Sequence, residues 1–188
     1  MSNPPKLLVT PTVIADVLII EPKVFGDDRG WFTESFNAQD FAAATGLDVS
    51  FVQDNHSFSR QWTLRGLHYQ LEQTQGKLVR VVAGSVFDVV VDIRKDSSTY
   101  GKWVSVELSA QNHKQLWIPP GLAHGFLVLS ETAEFLYKTT DYYHPQSESC
   151  LAWNDPIVGI EWPLPTGVQP NMNAKDTAGL SWDKAPKF

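Results

Sequence analysis

One cysteine, Cys150, is the chain's entire thiol content. No disulfide can close within the chain, which fits a reducing compartment and a cytoplasmic location. Long apolar runs are missing too, so no segment matches a membrane span. Residues 1–6 are polar, carry Pro4 and Pro5, and lack the apolar stretch of a secretory signal. Positive charge is scarce: 15 Lys and Arg against 21 Asp and Glu give a net charge of −6. With an isoelectric point near 5.3, general binding to nucleic acid or to an anionic membrane is not expected. A nucleotide-bearing small molecule stays compatible, because a few local cations outweigh a distant negative average.

Helix signals are few as well. Residues 38–45 read as the one clear helix, with Asn37 placed to cap it and Gly46 to stop it. Elsewhere strand-like runs alternate with turn residues. Residues 13–21 read as a strand closed by Pro22, 24–30 as a turn, 31–36 as a second strand and 49–59 as an extended segment. From Lys77 the strand signals come thickly: 77–83 and 85–94 around a tight turn at Gly84, then 102–108, 115–118, 123–129 and 133–140. Within 85–94, Phe87, Val89, Val91 and Ile93 share one face by their spacing of two, and Asp88 and Asp92 fall on the other.

Many short strands and little helix predict an all-β antiparallel sandwich or barrel. The 188 residues, 43% hydrophobic and 19% charged, fit one globular domain over 1–188, with 1–10 as an N-terminal arm and 163–188 as a loop-rich tail. Seven Trp, ten Phe and five Tyr can fill a β core, anchor a subunit interface or stack on a flat ligand.

Chemistry concentrates in Thr63-Leu64-Arg65-Gly66-Leu67-His68-Tyr69-Gln70, followed by Gln75-Gly76-Lys77-Leu78-Val79-Arg80. An arginine, a histidine, a tyrosine and a lysine stand within one strand–turn–strand segment, among apolar neighbours. That mixture suits a pocket that holds an anion and moves a proton. A histidine in a β segment is more often a hydrogen-bonded core or rim residue; the company of Arg65 and Lys77 sets this one apart. Arg65 and His68 are three apart, so a regular strand would turn them to opposite faces. A shared pocket would require Arg65 in the loop before the strand, which Gly66 permits.

These blocks do not stand alone. With Asp28-Arg29-Gly30, Gln53-Asp54-Asn55-His56-Ser57, Val91-Asp92-Ile93-Arg94, Pro119-Pro120-Gly121-Leu122-Ala123-His124-Gly125-Phe126 and Trp153-Asn154-Asp155-Pro156, the chain resembles the dTDP-4-dehydrorhamnose 3,5-epimerase family over nearly its full length. The resemblance implies a cupin-type jelly roll, a homodimer, no cofactor, and dTDP-4-keto-6-deoxyglucose as substrate. In that family the C4 ketone acidifies the protons on C3 and C5. Removing one gives an enolate, and returning a proton on the opposite face inverts the carbon.

By the same resemblance His68 is the base and Tyr137 the acid, although a strand tyrosine is commonly just a buried, satisfied hydroxyl. The partner that aims His68 is expected to be Asp176, in Asn173-Ala174-Lys175-Asp176, with Asp155 in its WNDP turn as the alternative. Lys77 faces the sugar oxyanion and Arg65 the phosphates. Arg29 (across the dimer), Glu34, Gln53, Asn55, His124, Glu148 and Lys175 serve the nucleotide. Tyr143 is the stacking aromatic, with Tyr142 one residue away. Metal-binding cupins carry a His-x-His pair; here the stretch is His68-Tyr69-Gln70, and His113 and His124 lie apart, so no metal is expected. A single-carbon epimerase, a 3,4-ketoisomerase and a non-catalytic sugar-nucleotide binder are the competing readings.

Overall fold

Two antiparallel sheets face each other in the computed structural model, which describes residues 6–188; residues 1–5 of the expected arm lie outside the described residues. In chain order the strands are β1 (Leu7–Pro11), β2 (Leu18–Pro22), β3 (Val24–Asp27), β4 (Gly30–Thr33), β5 (Gln53–Arg60), β6 (Leu64–Gln70), β7 (Lys77–Ala83), β8 (Ser85–Asp92), β9 (Trp103–Ser109), β10 (Gln115–Ile118), β11 (Leu122–Val128), β12 (Thr132–Thr139) and β13 (Glu148–Cys150). Helix α1 (Ala38–Thr45) joins β4 to β5, and α2 (Ala174–Thr177) lies in the C-terminal tail. The six-stranded sheet runs β1-β2-β10-β7-β12-β5 and the five-stranded sheet β13-β6-β11-β8-β9, with β3–β4 a separate hairpin. This is the all-β sandwich expected from the short strands.

The five-stranded sheet is covered on both faces, and the six-stranded sheet on its inner face and part of its outer one. Val79, Val81, Leu116, Ile118 and Phe135 of the first sheet meet Val86, Val90, Leu108, Leu122, Phe126 and Val128 of the second in the main core. The tail, through Leu151, Val158, Trp182 and Ala185, covers the outer face of the five-stranded sheet, against Leu67, Val89, Val91 and Ala123. Helix α1 covers the β2–β10–β7 part of the other sheet's outer face, where Phe41 packs with Ile20, Leu78 and Trp117. Two-sided burial explains why β8 and β11 carry apolar residues almost continuously. The Asn37 side chain accepts from the amides of Gln39 and Asp40, and Gly46 at φ 72° ends α1 as expected.

Several local expectations change. The strand expected over 13–21 begins at Leu18; before it, Val17 bonds back to Ile14, and both fill the core from a turn. The arm, from Leu7, is strand β1. Residues 24–30 are not a plain turn but β3 and the tip of a hairpin. Segments 77–83 and 85–94 do not pair with each other: β7 pairs with β10 and β12, β8 with β9 and β11, and the chain changes sheet at Gly84.

Candidate active site

A bulge in β6 assembles the site. His68 stands opposite His124 on β11 and Arg65 opposite Phe126, so three steps along β6 match two along β11. The extra residue turns Arg65 and His68 to the same side. Arg65 therefore lies within the strand, not in the loop before it. The close approach depends on glycine. A Cβ on Gly66, whose φ is +116°, would sit 2.6 Å from the Gly125 Cα, and a Cβ on Gly125 would sit 2.5 Å from the Arg65 carbonyl oxygen.

His68 Nε2 lies 2.6 Å from Asp176 Oδ1; Asp176 is buried, while 27% of the His68 side chain is exposed. The contact is close but not aligned as a hydrogen bond, and Nε2 is a buried atom without a hydrogen-bond partner. Asp176 is held by the tail's own cap: its amide donates to Asn173 Oδ1 at 2.8 Å, and its Oδ1 accepts from the Gly66 amide at 3.3 Å. Asp155 does something else. Its carboxylate accepts from the amides of Ile157 (2.9 Å) and Trp182 (2.7 Å), which pins the tail to the WNDP turn.

A cavity of about 90 Å³ opens beside His68, lined also by Gln75, Lys77, Tyr137, Tyr143 and Glu148. Burial pushes the Lys77 ammonium down to about 8, against the opposing pull of the Glu148 and Asp88 carboxylates. Burial likewise raises the Tyr137 hydroxyl, with Arg65 opposing. At the rim, Glu148 accepts from the Tyr143 hydroxyl at 2.6 Å and from the Lys175 ammonium. Burial alone would raise the Glu148 carboxyl; those two donors outweigh it and hold it below the usual carboxylate range. Tyr143 faces the cavity, and Tyr142 is 59% exposed. Gln53 Nε2 donates to Asn55 Oδ1 at 2.9 Å, and Gln53 Oε1 accepts from the Tyr143 amide at 3.1 Å. Arg65 donates to Ser59 Oγ at 3.0 Å and to the Phe58 carbonyl at 3.3 Å, lining an open cleft shared with Asp176.

His124 and Glu34 lie elsewhere than expected, while Arg29, expected to act across the dimer, stands away from its own chain's cavity. His124, expected at the nucleotide, is buried inside the sandwich with Nε2 3.0 Å from both Asp88 oxygens. Burial lowers the His124 ring and raises the Asp88 carboxyl, each against the attraction of the other. The sequence reading missed Asp88 as a site residue; an aspartate between valines in a fully buried strand needs a partner, and that was the available signal. Arg29, at the tip of the β3–β4 hairpin, is fully exposed and bonds Asp27 at 2.5 Å. Glu34 lies 3.8 Å from Lys6. Neither lines the cavity of its own chain.

His68, Cys150 and Asp176 offer ligand atoms within 4.8 Å of one another. A metal there would need a thiolate, but burial, with Asp176 and Glu148 adding to it, pushes the Cys150 thiol up to about 12. The donor set thus fits a bound metal poorly. Among the described residues no helix is long and apolar enough to cross a membrane.

The family profile described as dTDP-4-dehydrorhamnose 3,5-epimerase matches residues 11–184. The Salmonella typhimurium protein named dTDP-4-dehydrorhamnose 3,5-epimerase is 58% identical over 95% of this chain and 97% of its own. The protein of that name from Pseudomonas aeruginosa is 56% identical over 95% and 98%. The crystal structure of dTDP-6-deoxy-D-glucose-3,5-epimerase from Legionella pneumophila, in complex with dTDP-4-keto-L-rhamnose, superposes with a TM-score of 0.92 at 50% identity, covering 97% of this chain and 98% of that one. Fold and sequence agree over nearly the whole length, and the chain belongs to the dTDP-4-dehydrorhamnose 3,5-epimerase family, with its cupin-type fold.

Proposed function

We propose that the chain epimerises C3 and C5 of dTDP-4-dehydro-6-deoxy-D-glucose, giving dTDP-4-dehydro-L-rhamnose for dTDP-L-rhamnose synthesis in the cytoplasm. The carrying observation is the His68–Asp176 pair beside Lys77 and Tyr137 in one cavity, in a chain of this family. His68 takes the proton from C3 or C5. Asp176 holds the ring by Nε2 and stabilises the imidazolium, which leaves Nδ1 for the carbon acid. Negative charge then develops on the C4 oxygen, where the Lys77 ammonium stabilises it. The Tyr137 hydroxyl delivers a proton to the opposite face, and the carbon is inverted. Both groups exchange protons with solvent before the second carbon reacts.

In this reading Arg65 holds the diphosphate, and Gln53, Asn55, Tyr143, Glu148 and Lys175 border the nucleotide. His124 supports the cavity from behind as half of the His124–Asp88 pair. Arg29 and Glu34 serve the site of a second copy in a homodimer. The β3–β4 hairpin supports that assignment, since it exposes Phe25, Trp31 and Phe32 around Arg29. His68→Ala tests the reading against a non-catalytic binder. The variant should bind dTDP with wild-type affinity and lose turnover; turnover equal to wild type would sink the assignment of His68 as base.

A further inference from the structure

The loop of residues 141–144, which carries Tyr143, is held by glutamine side chains at every residue. Gln75 Nε2 donates to the Asp141 carbonyl at 3.0 Å. Gln70 Nε2 donates to the Tyr142 carbonyl at 3.2 Å. Gln53 Oε1 accepts from the Tyr143 amide at 3.1 Å, and Gln70 Oε1 accepts from the His144 amide at 3.0 Å. The three glutamines come from β5, β6 and the segment before β7, so the loop is tied to both sheets.

Such a pattern is unusual for a surface loop. Exposed main-chain groups can bond water, and nothing in stability alone demands a side chain for each. Gln70 is 6% exposed, and its second amide hydrogen goes to the Gln73 carbonyl at 2.8 Å. Its donors and its acceptor are therefore all engaged with backbone. A primary amide is the side chain that can donate to one carbonyl and accept from a nearby amide at once. Glutamate could not donate, and an apolar residue could do neither. The loop presents a ring that is 52% exposed yet lines the cavity, with its hydroxyl on Glu148.

We propose that Gln70 and Gln75 are positioning residues for the sugar nucleotide, acting through the loop to fix the Tyr143 ring before ligand arrives. The inference rests on the reading of Tyr143 as a nucleotide contact. Preorganisation of this kind improves binding by sparing the ligand the cost of ordering the loop. Its effect falls on affinity and KM more than on kcat, because the Gln70 amide is fully engaged with backbone and the Gln75 amide nitrogen is given to the Asp141 carbonyl, so both act through the loop.

The test is a double-mutant cycle on the full chain, read by titration calorimetry with dTDP and by steady-state kinetics. Gln75→Ala and Gln70→Met are each made in the wild-type and in the Tyr143→Ala background. Each alone should weaken dTDP roughly fivefold to tenfold and raise KM in proportion, with kcat changing much less. In the Tyr143→Ala background each should change the dTDP affinity by less than about twofold. Equal effects in both backgrounds would overturn the proposal, since the glutamines would then act independently of the ring. Full affinity in both glutamine variants, with Tyr143→Ala weakened, would overturn it while keeping Tyr143 at the nucleotide. Full affinity in Tyr143→Ala would overturn the underlying reading as well. Melting temperatures identify a poorly folded Gln70→Met, in which case Gln75→Ala, at a less buried position, decides.

Discussion

Arg65 and His68 stand three residues apart on one strand and yet face the same side, because β6 carries one residue more than β11 between His68–His124 and Arg65–Phe126. The anion-holding and proton-moving groups of the site are thus brought together by a backbone irregularity. The same turn of backbone supplies the Gly66 amide to Asp176, so the bulge also helps aim the carboxylate at His68.

A methyl group at the bulge should break this arrangement. In Gly66→Ala the new Cβ meets the Gly125 Cα and the His124 carbonyl oxygen, both at 2.6 Å, at a φ that L residues avoid. The neighbours are backbone and cannot move aside cheaply. Urea unfolding should show a loss of about 2–4 kcal/mol, and the folded fraction should be nearly inactive. Wild-type stability in this variant would mean that β6 follows a different path.

Asp176→Asn isolates the pairing from the packing. The amide fits the same buried space and its Oδ1 can still accept from the Gly66 amide, so the melting temperature should change little. Turnover should fall on the order of a hundredfold or more, because an amide cannot stabilise the imidazolium. Affinity for dTDP should persist. Asp155→Asn, by contrast, should lower stability first, since Asp155 ties Trp182 and Ile157 together.

Lys77 makes a prediction about pH. Its folded pKa, about 8, lies below the ordinary lysine value of 10.5, so the folded state disfavours the ammonium. The unfolded chain therefore binds more protons between those values, and stability rises with pH through that window. Below pH 8 the burial cost is fully present. Lys77→Met should be more stable than wild type at pH 7, by roughly 2 kcal/mol once residual solvent contact is allowed for, with the gap closing as pH passes 10.5. Its turnover should be lost. Wild-type turnover should also decline as pH rises through about 8, as the ammonium needed at the oxyanion is titrated.

The sequence displayed some of this directly and hid the rest. Helix α1 was legible to the residue, because Asn37 and Gly46 are local signals that act within one turn. Strands β7, β10 and β12 were legible from composition, and the segment containing Asp176 from its resemblance to the family. The bulge was not, because strand periodicity assumes regular pairing and the register depends on β11, over fifty residues away. Alternation placed Asp88 on the face opposite Phe87 and Val89 but could not show that this face is buried as well, because two-sided burial of β8 depends on the other sheet. Strand β3 read as a turn because its residues are all exposed within the chain and leave no periodic signal, whereas β4 overlaps the strand expected over 31–36.

The most direct measurement is proton exchange at the sugar. The protein is incubated with dTDP-4-keto-6-deoxyglucose in deuterated water, and the C3 and C5 proton signals are followed by NMR. The account predicts loss of both signals, with the product trapped as the rhamnose by a stereospecific reductase. It further predicts that Tyr137→Phe still exchanges the protons, since His68 can take and return them on one face, but yields little inverted product. Exchange at one carbon would make the protein a single-site epimerase. No exchange at either, with the nucleotide sugar bound, would contradict the account.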